Sequence, residues 1–160
     1  MEKEEILVQH NQLTGNIGLF YAAHKLARRG WNVLITSRNA KGPDMIIYSQ
    51  NGKLSHTIQV KASGDHGQVT IHESQSFLMS EFVIVVYDVY DDTKEHPMYI
   101  TETTNLHLLG IGQKGGCWIN PTKWIDTATG ESHTEGTFGK YKDNFEALGD
   151  PWDGAKPASM

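Results

Sequence analysis

One stretch of helical periodicity is followed along the chain by short extended runs. Ile17, Phe20, Tyr21, His24 and Leu26 recur at roughly the spacing of one helix face. Thr14 is placed to cap a helix starting near Gly15, because its hydroxyl can accept an orphan backbone N–H, and Gly30 is placed to stop it. Residues 31–36 are rich in β-formers and predict a strand, and 37–43 read as a polar loop with two breakers. Residues 44–48 and 54–61 predict two strands around Asn51-Gly52, a pair that tolerates the positive φ values of a type I′ turn. Further on, 68–71 predict a short strand and 73–80 a short helix. The unbroken apolar run 82–87 predicts a central strand covered on both faces. A strand at 98–101 and helices at 103–109 and 140–148 complete the elements, with loops at 110–116 and Asn120-Pro121. The pattern predicts an α/β fold, a mixed sheet flanked by helices, in one domain over 1–149. Residues 150–160 read as a tail with Trp152 as its one anchor.

The hairpin carries the sharpest chemical inference. If Asn51-Gly52 is the turn, Gln50 faces Lys53 and, counting outwards, Asp44 faces Gln59. Lys61 lies two residues beyond Gln59, so alternation places it on the same face, diagonal to Asp44. Met45, Ile47, Ile58 and Val60 make the other face core-like. A one-residue slip of register would part the three polar groups. A carboxylate and an amide carbonyl are oxygen donors suited to a hard cation such as Mg²⁺ or Mn²⁺, with the backbone carbonyl of Val60 as a third. Such a cation polarises a phosphate and activates water, and Lys61 is the group to orient that water and stabilise charge on the phosphate. The bland alternative is an Asp–Lys surface pair beside a neutral Gln, worth about 0–1 kcal/mol.

Pro43-Asp44, a hairpin, then Gln59-Val60-Lys61 resembles the PD-(D/E)XK signature of restriction-endonuclease-like proteins in its Gln variant. The segment from Gly15 to Val33, GNIGLFYAAHKLARRGWNV, resembles the helix preceding this motif in resolvase-like and Mrr-like members. The likeness covers the chain from Thr14 to Tyr87 and implies an α-β-β-β-α-β core. It also implies a metal-dependent nuclease, with Asp44, Gln59 and Lys61 in the metal and catalytic positions and DNA as the substrate. Many relatives carry a Glu just after the second glycine of the helix. Here Leu19 follows Gly18, and no acid occurs from Thr14 to Gly30. That departure favours a rival reading, the same fold without activity, holding nucleic acid or a protein partner.

Composition changes the picture only at a few points. The chain has 160 residues, 38% hydrophobic and 21% charged, enough for a single sizeable core. No apolar run approaches the roughly 20 residues that span a bilayer. The amino terminus MEKEEILVQH lacks an apolar signal core, so a cytoplasmic protein is expected, and nothing opposes a homodimer. Cys117 is the only cysteine, which excludes an internal disulfide and a Cys-based zinc site. The net charge of −5 argues against nucleic acid until its distribution is considered. From His24 to Lys61 there are seven basic residues against Asp44 alone, whereas from Gln68 onwards there are 14 acids and 6 bases. Lys25, Arg28, Arg29, Arg38 and Lys41 are therefore expected to contact phosphates beside the Asp44 pocket. A second rival is a regulatory protein that turns its acidic C-terminal half towards a basic partner.

Other motifs carry less. No two histidines have HExxH spacing, no Gly-Lys-Ser/Thr ends the Gly15–Gly18 segment, and no Gly-x-Ser-x-Gly elbow occurs. His24 reads as a surface residue and His66 as part of a plain loop bordering the cleft. Asp88, Asp91 and Asp92 read as a solvated cluster, and Trp118 and Trp124 as packing residues.

Overall fold

A computed structural model describes residues 2–37, 42–65, 69–71, 79–108, 117–119, 123–125, 132–134 and 139–158. Helix α1 spans Glu2–Arg28, followed by strands β1 (Asn32–Ile35), β2 (Met45–Tyr48), β3 (Ser55–Ala62), β4 (Val69–Ile71), β5 (Phe82–Val86) and β6 (Met98–Glu102). A short α2 (Thr103–Leu108) and strands β7 (Cys117–Ile119), β8 (Lys123–Ile125) and β9 (Ser132–Thr134) come next. Two 3-10 turns, Gly139–Tyr141 and Phe145–Leu148, occupy the stretch expected to be one helix. Asp143, at φ +50°, interrupts it between them. The helix expected at 73–80 lies almost wholly outside the described residues.

The main sheet is mixed, in the order β1-β2-β3-β5-β6. β1, β2 and β3 are antiparallel neighbours, β3 and β5 run parallel, and β6 returns antiparallel to β5. Strands β4, β7, β8 and β9 form a second sheet. All of β5 is buried, as an unbroken apolar run requires. Helix α1 lies across β3 and touches β1 and β5. Its Ala22 and Leu26 join Met45, Ile47, Ile58 and Ile84 in the core, and Val60 packs against that cluster.

Helix α1 begins at Glu2, not at Gly15. Thr14 is an interior residue whose hydroxyl bonds back to the His10 carbonyl at 2.9 Å and lies 2.8 Å from the Tyr90 hydroxyl. A threonine satisfied within its own helix does not stop it. The other end is as expected. Gly30 has φ +102°, its N–H reaches the Ala27 carbonyl, and the Trp31 N–H reaches the Leu26 carbonyl. This paired closure needs a left-handed residue, which glycine supplies at least cost. Trp152 lies over Gly30 and donates its Nε1 proton to the Arg29 carbonyl at 3.0 Å. Pro151 and Asp153 add hydrogen bonds to Gln50 and Asn51, so more than the indole holds this segment.

At Gly18 there is no room for a side chain, because a Cβ there would overlap the Ala62 Cβ on β3. This close approach sets α1 on the sheet. Gly18→Ala is expected to cost about 1–3 kcal/mol in urea unfolding through overpacking. Adding Ala62→Gly should recover part of that loss. No recovery in the double variant would show that the Gly18–Ala62 contact does not set the cost.

Candidate active site

The β2–β3 hairpin has the register expected from its sequence but not the expected turn. Met45 pairs with Ile58, Ile46 with Thr57, Ile47 with His56 and Tyr48 with Ser55. Of the two turn residues only Gly52 has a positive φ, +72°, so the turn is not type I′. A four-residue loop replaces it. The Ser49 N–H bonds to the Leu54 carbonyl at 2.8 Å, and the Ser49 hydroxyl accepts the Leu54 N–H at 3.0 Å. The Asn51 side-chain oxygen accepts the Ser49 hydroxyl proton and the Lys53 N–H. A two-residue turn and this loop share one centre, so the same residues face each other.

Asp44 stands just ahead of β2, and its carboxylate takes the place of a strand carbonyl. Oδ2 accepts the Val60 backbone N–H at 2.7 Å and a hydrogen bond from the Gln59 side-chain amide. The Asp44 backbone is fixed on both sides, its N–H to the Ile58 carbonyl at 2.9 Å and its carbonyl to the Thr36 N–H at 3.0 Å. The Thr36 hydroxyl donates to the Pro43 carbonyl at 2.6 Å and lies 3.1 Å from the Asp44 carbonyl. Gln59 is buried, at 7% exposure. Its amide can therefore hold the carboxylate in a single geometry.

Asp44, Gln59 and Lys61 line one cleft of about 210 Å³, closed on the helix side by Gly15 and Leu19 and on the β1 side by Thr36 and Ser37. Burial pushes the Lys61 ammonium below the usual lysine range, and the Asp44 carboxylate opposes that shift. The cleft thus brings together an anion held by two N–H donors and a partly desolvated cation. Leu19 adds an apolar wall and no charge. Among the described residues no three His, Cys, Asp or Glu side chains gather as a metal-binding group.

Thr36 and Ser37 are cleft residues that sequence reasoning missed. Continuing the β1–β2 register places Thr36 opposite Asp44, but that register is not legible across a loop without a recognisable turn. Lys25, Arg28 and Arg29 come together at the C-terminal end of α1, yet none of them lines the cleft. They border a separate depression with residues 92–96. Arg38 and Lys41 lie outside the described residues. His24 is exposed, as expected. Asp88 is not solvated but buried at 6%, with Lys94 at 3.5 Å, and Asp91 lies 3.1 Å from the same ammonium.

Comparison of the chain with family models, with curated proteins and with solved structures finds no match. Among the described residues, no helix is long and apolar enough to cross a membrane.

Proposed function

We propose that this protein is a metal-dependent nuclease with a restriction-endonuclease-like core, acting on phosphodiester bonds in DNA. The observation that carries the reading is the convergence of Asp44, Gln59 and Lys61 on one cleft, in the register their sequence spacing predicts. The element order is compatible with it: α1, then β1-β2-β3, then β5 in one mixed sheet follow the α-β-β-β-α-β order that the resemblance implies, with the second helix of that order lying almost wholly outside the described residues. The choice of DNA rests on the resemblance alone.

The donor chemistry fits a hard cation. The Asp44 carboxylate is one oxygen donor, and Gln59 meets it through its amide nitrogen, which leaves the amide carbonyl at the opposite end of the group. With the Val60 carbonyl, these residues would hold Mg²⁺ or Mn²⁺, which when bound polarises phosphate and acidifies water. Asp44 supplies the one strong anionic charge, fixed by the Val60 N–H. Lys61, which lines the same cleft, would orient the attacking water and stabilise charge on the phosphate.

The test is cleavage of plasmid DNA by the purified protein with Mg²⁺ or Mn²⁺, stopped by EDTA. A second reading, nucleic-acid binding without cleavage, is favoured by the apolar Leu19 and by Asp44 being the single carboxylate among the described residues of the cleft. DNA retention without cutting on double-stranded, single-stranded and branched substrates and on RNA would select it.

Gln59→Glu separates the two by a readout other than activity. It sets a second carboxylate against Asp44 where an amide proton now donates, so the metal-free variant should lose roughly 1–2 kcal/mol at neutral pH, a few degrees of melting temperature. Millimolar Mg²⁺ or Mn²⁺ should restore the loss. A melting temperature indifferent to either cation would show that the cleft does not take one.

A further inference from the structure

A depression of about 690 Å³ lies on the other flank of α1 from the Asp44 cleft and is of small-ligand size. Its wall on α1 is Tyr21, His24, Lys25 and Arg28, while Gly15 and Leu19 face the cleft. A strand lying in the cleft would have to cross the helix to reach it. Its charged lining is mainly basic: Lys25, Arg28, Arg29 and Lys94 against Asp92 and Glu95. Lys94 is already engaged with Asp88 and Asp91. The Arg29 guanidinium lies 3.4 Å from the centre of the Phe145 ring, which fixes its plane.

One anion already stands in this field. Glu95 reaches from the β5–β6 connection to within 2.6 Å of the Lys25 ammonium, although its side chain is 84% exposed and that of Lys25 only 15%. The hydrogen bond and charge of Lys25, with the more distant charges of Arg29 and Arg28, hold the Glu95 carboxyl below the usual carboxylate range. An exposed side chain gives up rotamer freedom to hold that position. Arg28 is exposed and makes no ion pair among the described residues.

We propose that this depression is a phosphate-ester site, in which Glu95 holds the anion position beside Lys25 until a ligand phosphate displaces it, with Arg28 and Arg29 as the further contacts. Phosphate fits better than carboxylate because two guanidinium groups and an ammonium line the depression, and guanidinium forks match phosphate oxygens in pairs. The source is either a terminal phosphate on a small nucleotide or an internal diester of a strand. The site stands apart from the Asp44 cleft and does not depend on that cleft being a nuclease centre.

Calorimetric titration in EDTA separates these outcomes, with pyrophosphate as one probe and a single-stranded 12-nucleotide DNA lacking terminal phosphates as the other. The probe that binds identifies the source, and either one supports the site. Glu95→Gln removes the internal competitor and should tighten binding about threefold or more, whereas Arg28→Ala should weaken it about fivefold or more. Asp44→Asn should leave it unchanged. The proposal is overturned if neither probe binds, if Glu95→Gln fails to tighten binding, or if Asp44→Asn weakens it as much as Arg28→Ala does.

Discussion

Asp44→Asn should leave the protein folded and lower plasmid cleavage about 100-fold or more, the scale of losing a principal electrostatic group at a reacting phosphate. The folded state survives because an Asn side-chain oxygen can still accept the Val60 N–H, now bonded to Asp44 Oδ2 at 2.7 Å. What disappears is the negative charge of the only carboxylate among the described residues that line the cleft. Asp44→Ala is the informative contrast. It strands both the Val60 N–H and the Gln59 amide in a part-buried setting, each at a cost of about 1–3 kcal/mol when no acceptor replaces the carboxylate. Urea unfolding should therefore rank wild type and Asp44→Asn close together and Asp44→Ala well below them, while both variants are inactive. Cleavage by Asp44→Asn at the wild-type rate would remove Asp44 from the chemistry, and with it the assignment of this cleft as the nuclease site.

The hairpin explains why this site is legible in the sequence. Register depends on the centre of the turn, and the Asn51-Gly52 position marks that centre whether the chain closes through two residues or through the Ser49–Leu54 loop. The turn type itself was not legible, because the side chains of Ser49 and Asn51 supply bonds that a propensity argument does not count. The start of α1 was misplaced for a related reason. A threonine ahead of an apolar stripe looks like a cap, yet Thr14 bonds to His10 and meets Tyr90, a contact across 76 residues that no local rule contains. The basic residues show a third kind of limit. Their clustering was plain in the sequence, but which flank of the helix faces the cleft depends on how α1 is set on β3, and the Gly18–Ala62 contact fixes that. Leu19 then falls on the cleft flank and Lys25 and Arg28 on the other. Thr36 stayed hidden because its partner is set by a β1–β2 connection with no recognisable turn.

Lys61→Met should stabilise the protein while lowering cleavage about 100-fold. The two effects have one cause. Burial in the cleft pushes the Lys61 ammonium below the usual lysine range, and Asp44 opposes that shift without cancelling it. A group whose folded pKa lies below its unfolded one binds its proton more weakly in the native state, so at neutral pH the charged form costs stability. Methionine keeps much of the length of the side chain and removes the charge. Its Asp44 neighbour keeps the Val60 and Gln59 donors, so no carboxylate is left unpaired. The gain is modest, roughly 1–3 °C in melting temperature, because the cleft is open enough for solvent to screen part of the penalty. The sign also fixes its pH dependence. Between the lowered folded pKa and the ordinary lysine value near 10.4, the unfolded chain holds more protons than the folded one, so wild-type stability rises with pH relative to the variant. The advantage of Lys61→Met should be full at pH 7 and shrink through the alkaline window until it is lost above the unfolded value. Melting curves at pH 7, 9 and 10.5, read beside single-turnover cleavage at pH 7, test both halves together. A variant that is less stable than wild type and still cuts DNA would show Lys61 to be the structural partner of Asp44, with no part in stabilising the phosphate.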